Sequence, residues 1–201
     1  MSFHATVPYG TPEFHRSNRA VLEPGKPFTF TPENRAKFDE IATHYPPERR
    51  KSAILYALYL AQEQQGYITA SACKHVAEVI GCTPAEVDDV VSYYVMFFRR
   101  PTGKYVLQVC RTLSCAVNGA ERLVEALEEK LGIKVGETDA SGMFTLVEFE
   151  CLGACDRAPV VMVNNEHWHE HQTPETVTQL IDGLKSKGLA ALSGCHLKVE
   201  K

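Results

Sequence analysis

The sequence predicts an α/β chain in which a small all-α helical domain precedes a domain of alternating strands and helices. Residues 33–98 hold four segments with apolar residues at helical spacing, separated by glycine or by a proline pair. After the RRPTG segment near residue 100, the pattern changes to short valine-rich runs that alternate with helical segments. The 201 residues, 44% of them hydrophobic and 23% charged, are sufficient for two such domains.

Each of the four predicted helices has a start or a stop signal. Thr31, followed by proline, is a candidate N-cap for the first helix, which ends before the Pro-Pro pair. The second helix, ERRKSAILYALYLAQEQQ, ends at Gly66, and the third, ASACKHVAEVI, ends at Gly81. Thr83 and Glu86 form a capping box for a fourth helix, which we expect to continue through DDVVSYYVMFF.

The second half of the chain is predicted to follow the order β-α-β-β-β-α. The strand KYVLQVC ends in Cys110, the helix GAERLVEALEEKLG follows, and the strand TLVEFEC ends in Cys151. APVVMVNN and EHWHEH form a further strand pair, and Thr173 opens a last helix. If the first two strands are parallel, a right-handed crossover places both cysteine loops at one edge of the sheet.

Four segments follow from these patterns: an extended arm over residues 1–32, the helical domain over 33–98, the α/β domain over 104–185 and a tail over 186–201. Proline and glycine are too frequent in the arm for regular structure. We expect the arm to lie on a partner or to be disordered.

The seven cysteines, in a chain without a secretory signal, favour metal binding or reactive chemistry over a disulfide framework. Two close pairs stand out: Cys110 and Cys115 form C-x4-C, and Cys151 and Cys155 form C-x3-C. Thiolates that converge repel one another, and a metal ion or cluster supplies the positive charge that stabilises them at neutral pH.

The spacing of the two pairs favours an iron-sulfur cluster but leaves other sites open. C-x4-C with C-x3-C lies at the permissive edge of structural zinc spacing. A 2Fe-2S cluster is wider, since each iron takes two thiolates, and Gly119 and Gly153 suit a close approach of the backbone. The common plant-type and bacterial ferredoxin cysteine runs are absent. Zinc and independent thiols therefore remain alternatives to the cluster, and with zinc the chain would be a zinc-stapled interaction module.

The blocks VCRTLSC and ECLGACDRAPVVMVN, preceded by LAQEQQGYI and SYYVMFFRRPTGKY, resemble the thioredoxin-like 2Fe-2S subunits (the bacterial E subunits) of NADH-quinone oxidoreductases, respiratory complex I. The resemblance covers about residues 35 to 185. It implies a thioredoxin-like ferredoxin fold for residues 104–185. It also implies that one 2Fe-2S cluster is bound by four cysteines, namely Cys110, Cys115, Cys151 and Cys155.

The resemblance further implies the partners of the chain. The cluster would exchange single electrons with the flavin of an adjacent flavin- and NADH-binding subunit, within a complex that contains further peripheral-arm subunits. Similar subunits serve NAD-linked hydrogenases and formate dehydrogenases, and no residue separates those assemblies from NADH-quinone oxidoreductase, a translocase. We therefore expect an oxidoreductase subunit without a complete active site of its own.

Composition and missing motifs exclude several other functions. The formal net charge of −4 provides no basic surface for nucleic acid, and the longest apolar runs are too short to span a membrane. There is no glycine-rich phosphate loop and no C-x-x-C redox motif. We expect a cytoplasmic protein that is peripheral to the inner face of the cell membrane as part of a complex, without direct membrane insertion.

The remaining candidate residues have simpler interpretations. Cys73 and Cys82 are predicted to pack in or near a helical core, and Cys195 with its neighbour His196 to be exposed in the tail. Three alternating histidines of the EHWHEH segment are predicted to lie on a solvated strand face: His167, His169 and His171. Two arginines beside the cysteines are hypothesised to offset the negative charge of a cluster: Arg111 and Arg157.

Overall fold

The computed structural model describes residues 22–192 and the backbone of residues 197 and 198. The chain divides into two compact units, one up to Pro101 and one from Thr102 onward. Most of the predicted arm and part of the predicted tail lie outside the described residues. Among the helices of the described ranges, none combines the length and the apolar character that a membrane span requires.

The first unit is built from four α-helices: α1 (Pro32–Ala42), α2 (Ile54–Gln65), α3 (Ala70–Ile80) and α4 (Pro84–Tyr93). The predicted caps are confirmed. The Thr31 side chain accepts from the Asn34 amide, and Thr83 and Glu86 form the capping box of α4. The glycines at the ends of α2 and α3 have φ values of 90° and 85°, the left-handed conformation that favours glycine at a helix end.

Two helix boundaries differ from the prediction. The second helix begins later than expected, because Pro47–Ala53 forms a 3-10 helix in which Arg49 has non-helical dihedrals. The fourth helix ends at Tyr93 and does not continue through Phe98. The Gln62 side chain on α2 holds the backbone that follows this end. Its Nε2 donates to the Met96 carbonyl (2.8 Å) and its Oε1 accepts from the Phe98 amide (2.8 Å), so it replaces the helical partners of this backbone.

The described part of the predicted arm packs on its own unit. Phe28 and Phe30 are buried in the helical core. The Phe28 amide donates to Ser71 Oγ (2.9 Å), and the Phe30 amide donates to His75 Nε2 (3.1 Å), so the segment is tied to α3. Residues 22–31 are therefore packed on the helical unit instead of disordered, and the expectation that the arm contacts a partner stays a prediction.

The second unit contains a mixed five-stranded sheet with three α-helices. Its strands are β1 (Tyr105–Cys110), β2 (Phe144–Phe149), β3 (Val161–Val163), β4 (His167–His169) and β5 (Leu197–Lys198), in the spatial order β2-β1-β3-β4-β5. Its helices are α5 (Leu113–Val117), α6 (Ala120–Leu131) and α7 (Pro174–Lys187). The predicted order β-α-β-β-β-α is confirmed, with the short α5 and the strand β5 as additions.

The pairing of β1 with β2 brings the two cysteine loops together. These strands are parallel, in a register that pairs Tyr105 with Phe144 and Cys110 with Phe149, whereas the other strand pairs are antiparallel. Their carboxyl ends therefore lie at the same edge of the sheet. The core behind this edge combines residues of β1 and β2 with residues of α6 and α7, such as Leu107, Leu146, Leu123 and Ile181.

Candidate metal centre

The four cysteines of the two predicted pairs lie in the two loops at this edge. Cys110 is the last residue of β1 and Cys115 lies in α5, and both are buried. Cys151 follows β2, Cys155 opens the 3-10 turn Cys155–Arg157, and both are exposed. One pair of thiols thus lies inside the unit and the other pair lies at its surface.

Within each pair the sulfur atoms interact. Cys151 Sγ lies 3.4 Å from Cys155 Sγ. Cys110 and Cys155 both lie close enough to Cys115 to contribute to its raised pKa. The described structure therefore brings together all four cysteines that the sequence singles out, arranged as two adjacent pairs.

Burial and neighbouring thiols oppose the ionisation of two of the four cysteines, Cys115 and Cys155. Burial, followed by the interaction with Cys110, raises the pKa of Cys115 to about 12. The Cys151 thiol raises the pKa of Cys155. The pKa of Cys151 is lowered, first by the Gly153 amide and then by the side chains of Cys155 and Thr112. A site in which all four are thiolates therefore needs bound positive charge.

Backbone amides and hydroxyl groups of the loops contact the sulfur atoms. The Gly153 amide donates to Cys151 Sγ (3.4 Å), and the backbone of Val160 hydrogen-bonds Cys115. Thr112 Oγ1 lies 3.3 Å from Cys110 Sγ. Gly153 has a φ of 82°, and nothing lies within 4 Å of the position that a Cβ would take. Its backbone conformation, rather than a close approach, is the reason for glycine here.

These contacts fit a 2Fe-2S cluster. Such a cluster takes two thiolates on each iron and is stabilised by hydrogen bonds to its sulfur atoms. The loops provide two thiol pairs and several donors directed at sulfur. Within residues 22–192, no group of three or more His, Cys, Asp or Glu side chains surrounds one point as the ligands of a single metal ion.

The two arginines beside the cysteines are already paired with carboxylates. Arg111 Nη2 lies 2.6 Å from Glu150 Oε1. Arg157 Nη1 lies 2.8 Å from Oε2 of Glu170, whose side chain is only 6% exposed. Because each positive charge has a negative neighbour, the hypothesis that these arginines offset the charge of a cluster receives little support from the structure.

The histidines of β4 differ from the prediction. His167 and His169 are partly buried, and burial lowers the pKa of His169 to about 4. The register explains this difference. His169 pairs with Val161 and His167 with Val163, so the imidazoles share the sheet face of two core residues. The prediction of a solvated face is therefore wrong for these two, whereas His171 is exposed.

The other cysteines lie in the helical unit or outside the described residues. Cys73 is buried in the helical core, and burial raises its pKa to about 12. Cys82 is partly buried against the same core, so both packing predictions are confirmed. The tail residues Cys195 and His196 lie outside the described ranges, and the prediction for them stays a prediction.

Sequence reasoning missed three residues that contact sulfur: Thr112, Ser114 and Val160. Thr112 contacts Cys110, and the side chains of Thr112 and Ser114 favour the thiolate forms of Cys151 and Cys155, respectively. The two hydroxyl residues between Cys110 and Cys115 are the signal that the sequence offers for them. Spacing alone does not show to which sulfur a hydroxyl is directed.

Comparison with known proteins agrees with this geometry. The thioredoxin-like 2Fe-2S ferredoxin family matches residues 38–185. The NADH-quinone oxidoreductase E subunit of Mycobacterium tuberculosis is 41% identical, over 90% of this chain and 75% of its own length. NADH-quinone oxidoreductase subunit 2 of Thermus thermophilus is 43% identical, over 74% of this chain and 82% of its own length.

A solved structure shares the fold. The NAD+-reducing NiFe-hydrogenase in its H2-reduced state superposes with a TM-score of 0.56 at 18% sequence identity. The match covers 65% of this chain and 22% of the hydrogenase chain, and at this identity it shows the fold alone. The family match, the oxidoreductase relatives and the thiol pairs agree with one another. The chain therefore belongs to the thioredoxin-like 2Fe-2S ferredoxin family.

Proposed function

We propose that the chain is an electron-transfer subunit of an NADH-quinone oxidoreductase and that its four loop cysteines hold one 2Fe-2S cluster. The observation that carries the proposal is the convergence of two thiol pairs at the edge where β1 and β2 end. The relatives, which are subunits of NADH-quinone oxidoreductases, support this host complex. When bound, such a cluster takes up and returns one electron at a time.

The exposure of the site supports an exchange of single electrons with a docked partner. Cys151 and Cys155 are at the surface, whereas Cys110 and Cys115 are buried, so one side of the site is open to a partner. We infer that this partner is the flavin- and NADH-binding subunit, and that its flavin exchanges single electrons with this chain. No glycine-rich nucleotide loop is present in the sequence, so the partner must supply the NADH site.

A pair of exposed apolar side chains supports docking at the same place. Leu113 and Val117 are 79% and 74% exposed, and they flank Cys115 on α5. Residues four apart on a helix lie on one side of it, so the two side chains form an apolar surface beside the thiols. Apolar side chains of this size are typical of the buried centre of a protein interface.

The proposal extends to the place of the chain in the complex. We infer that it belongs to the peripheral arm, contacts further subunits there, and lies at the cytoplasmic face of the membrane without entering the bilayer. We also infer that residues 33–98 and 104–185 are separate domains. The separate hydrophobic cores of the two compact units support this division.

The second candidate is the same electron-transfer role in an NAD-linked hydrogenase or formate dehydrogenase. The shared fold of the NAD+-reducing hydrogenase is the observation that favours it. Affinity purification of the chain from its own cells distinguishes the hosts. NADH-quinone oxidoreductase subunits should co-purify with it, whereas hydrogenase or formate dehydrogenase subunits would assign it to the second candidate.

Reduction by NADH tests the electron-transfer step. The purified chain is mixed anaerobically with the flavin- and NADH-binding subunit, and visible absorption and paramagnetic resonance are followed after NADH is added. Reduction should occur in the mixture and not in the chain alone, while dithionite should reduce both. Direct reduction of the isolated chain by NADH, or a mixture that only dithionite reduces, would contradict the proposal.

A further inference from the structure

The two residues Thr112 and Ser114 carry hydroxyl groups between the first pair of cysteines. Thr112 Oγ1 lies 3.3 Å from Cys110 Sγ, a direct contact with sulfur. The Thr112 side chain also favours the thiolate form of Cys151, and the Ser114 side chain favours that of Cys155. Both residues therefore lie close to the thiols of the site.

The position of Thr112 makes its contact with sulfur unusual for this chain. Thr112 is the N-cap residue of α5, but its side chain accepts no hydrogen bond from the backbone of that helix. Four other α-helices begin with a threonine whose side chain does accept one, namely Thr31, Thr69, Thr83 and Thr173. The Thr112 hydroxyl is thus directed to sulfur instead of to the capping role that its position usually takes.

The direction of these hydrogen bonds is fixed when the cysteines are ligands. A thiolate has no proton, so the hydroxyl must be the donor and the sulfur the acceptor. A donated hydrogen bond stabilises negative charge on sulfur, and that charge is larger after reduction by one electron. Each such bond therefore favours the reduced form and raises the reduction potential.

We propose that Thr112 and Ser114 are positioning residues that raise the reduction potential of the bound cluster by donating hydrogen bonds to its cysteine ligands. The inference rests on the proposed function, since it takes the four cysteines as ligands of one cluster. Thr112 has the larger role, because its hydroxyl lies 3.3 Å from Cys110 Sγ and its side chain also favours the thiolate form of Cys151.

The test compares variants of the full chain that carry the cluster. Thr112→Val removes the hydroxyl and keeps the shape, Thr112→Ser keeps the hydroxyl, and Ser114→Ala removes the second donor. Thr178→Val is the matched control, because the Thr178 hydroxyl donates to a helix carbonyl on α7 instead of to sulfur. Iron and sulfide content, the midpoint potential and the paramagnetic signal of the reduced form are measured for each.

Thr112→Val should keep its iron and sulfide but titrate at a more negative potential. At a fixed potential near the midpoint we expect the ratio of reduced to oxidised protein to fall about tenfold, which equals about 59 mV for a one-electron couple. Thr112→Ser and Thr178→Val should have the midpoint potential of the wild type. The midpoint potential of Ser114→Ala should also become more negative, but by less than that of Thr112→Val.

An unchanged potential in a fully loaded Thr112→Val protein would overturn the inference. If that variant loses iron, Thr112→Ala, which cannot clash with its surroundings, is measured in its place. Loss of iron from both would assign Thr112 to holding the loop and would also overturn the inference. These outcomes differ from failure of the proposed function, in which the wild type itself would lack iron and sulfide or would show no one-electron titration.

Discussion

The four thiols of the site are chemically unlike, although their spacing in the sequence makes them look equivalent. Cys115 is buried and has a pKa raised to about 12, whereas Cys151 is exposed, accepts a hydrogen bond from the Gly153 amide and has a lowered pKa. Cysteine spacing predicted which residues come together. It could not predict their burial or their hydroxyl partners, because these depend on where β2 lies relative to β1.

His169 should make the stability of the folded chain depend on pH. Burial lowers its pKa to about 4, below the value of about 6.5 expected in the unfolded chain. Between these values the unfolded chain binds more protons, so the free energy of unfolding falls as the pH falls from about 6.5 to 4. His169→Leu removes the titrating group and should reduce this loss by an amount on the order of 1 to 3 kcal/mol.

Urea unfolding at several pH values between 4.5 and 7 measures this effect. His171→Leu is the control, because His171 is exposed and follows the same strand. The wild type and the control should lose stability in parallel over this range, while His169→Leu should lose less. Equal pH dependence in all three proteins would show that His169 is not the group responsible.

At the level of elements, most helix starts and ends were predictable because their signals are local. A threonine that caps its own helix and a glycine at a helix end act within one turn. The path of the chain after α4 was not predictable, because that segment is held by Gln62, which lies 36 residues before the Phe98 amide that it binds. The burial of the β4 histidines also depends on strand register, which no local pattern specifies.

The short helix α5 provides the clearest test of partner docking. Leu113→Ser together with Val117→Ser removes the exposed apolar pair and should weaken binding to the flavin- and NADH-binding subunit by about tenfold or more, as loss of central interface side chains typically does. Leu189→Ser is the matched control, since Leu189 is also exposed, at 61%, but lies after α7.

Calorimetry measures the binding of the wild type, the double variant and the Leu189 variant to the purified flavin- and NADH-binding subunit. The double variant should keep its iron and sulfide, because Leu113 and Val117 are exposed whereas Cys115 on the same helix is buried. Wild-type affinity in the double variant, or an equal loss in the Leu189 variant, would show that the partner does not dock on this surface of α5.

At the level of the whole molecule, the fold class followed from the change of periodicity near residue 100. The structure has a compact unit on each side of this change, and each unit has its own hydrophobic core. The parallel pairing of β1 and β2 then places both cysteine loops at one sheet edge, as the crossover rule predicts. The choice between a cluster and zinc did not follow from spacing, since both chemistries use paired thiolates.

Analysis of iron, sulfide and zinc in the wild type and in seven single cysteine-to-serine variants tests the ligand set most directly. The wild type should contain about two irons and two sulfides per chain and show one paramagnetic signal after reduction. Serine at Cys110, Cys115, Cys151 or Cys155 should sharply reduce the iron content, because a serine oxygen is a poorer ligand for iron than a thiolate. Serine at Cys73, Cys82 or Cys195 should leave it unchanged. A wild type that contains zinc, or a Cys195 variant that loses iron while a Cys110 variant keeps it, would contradict the account.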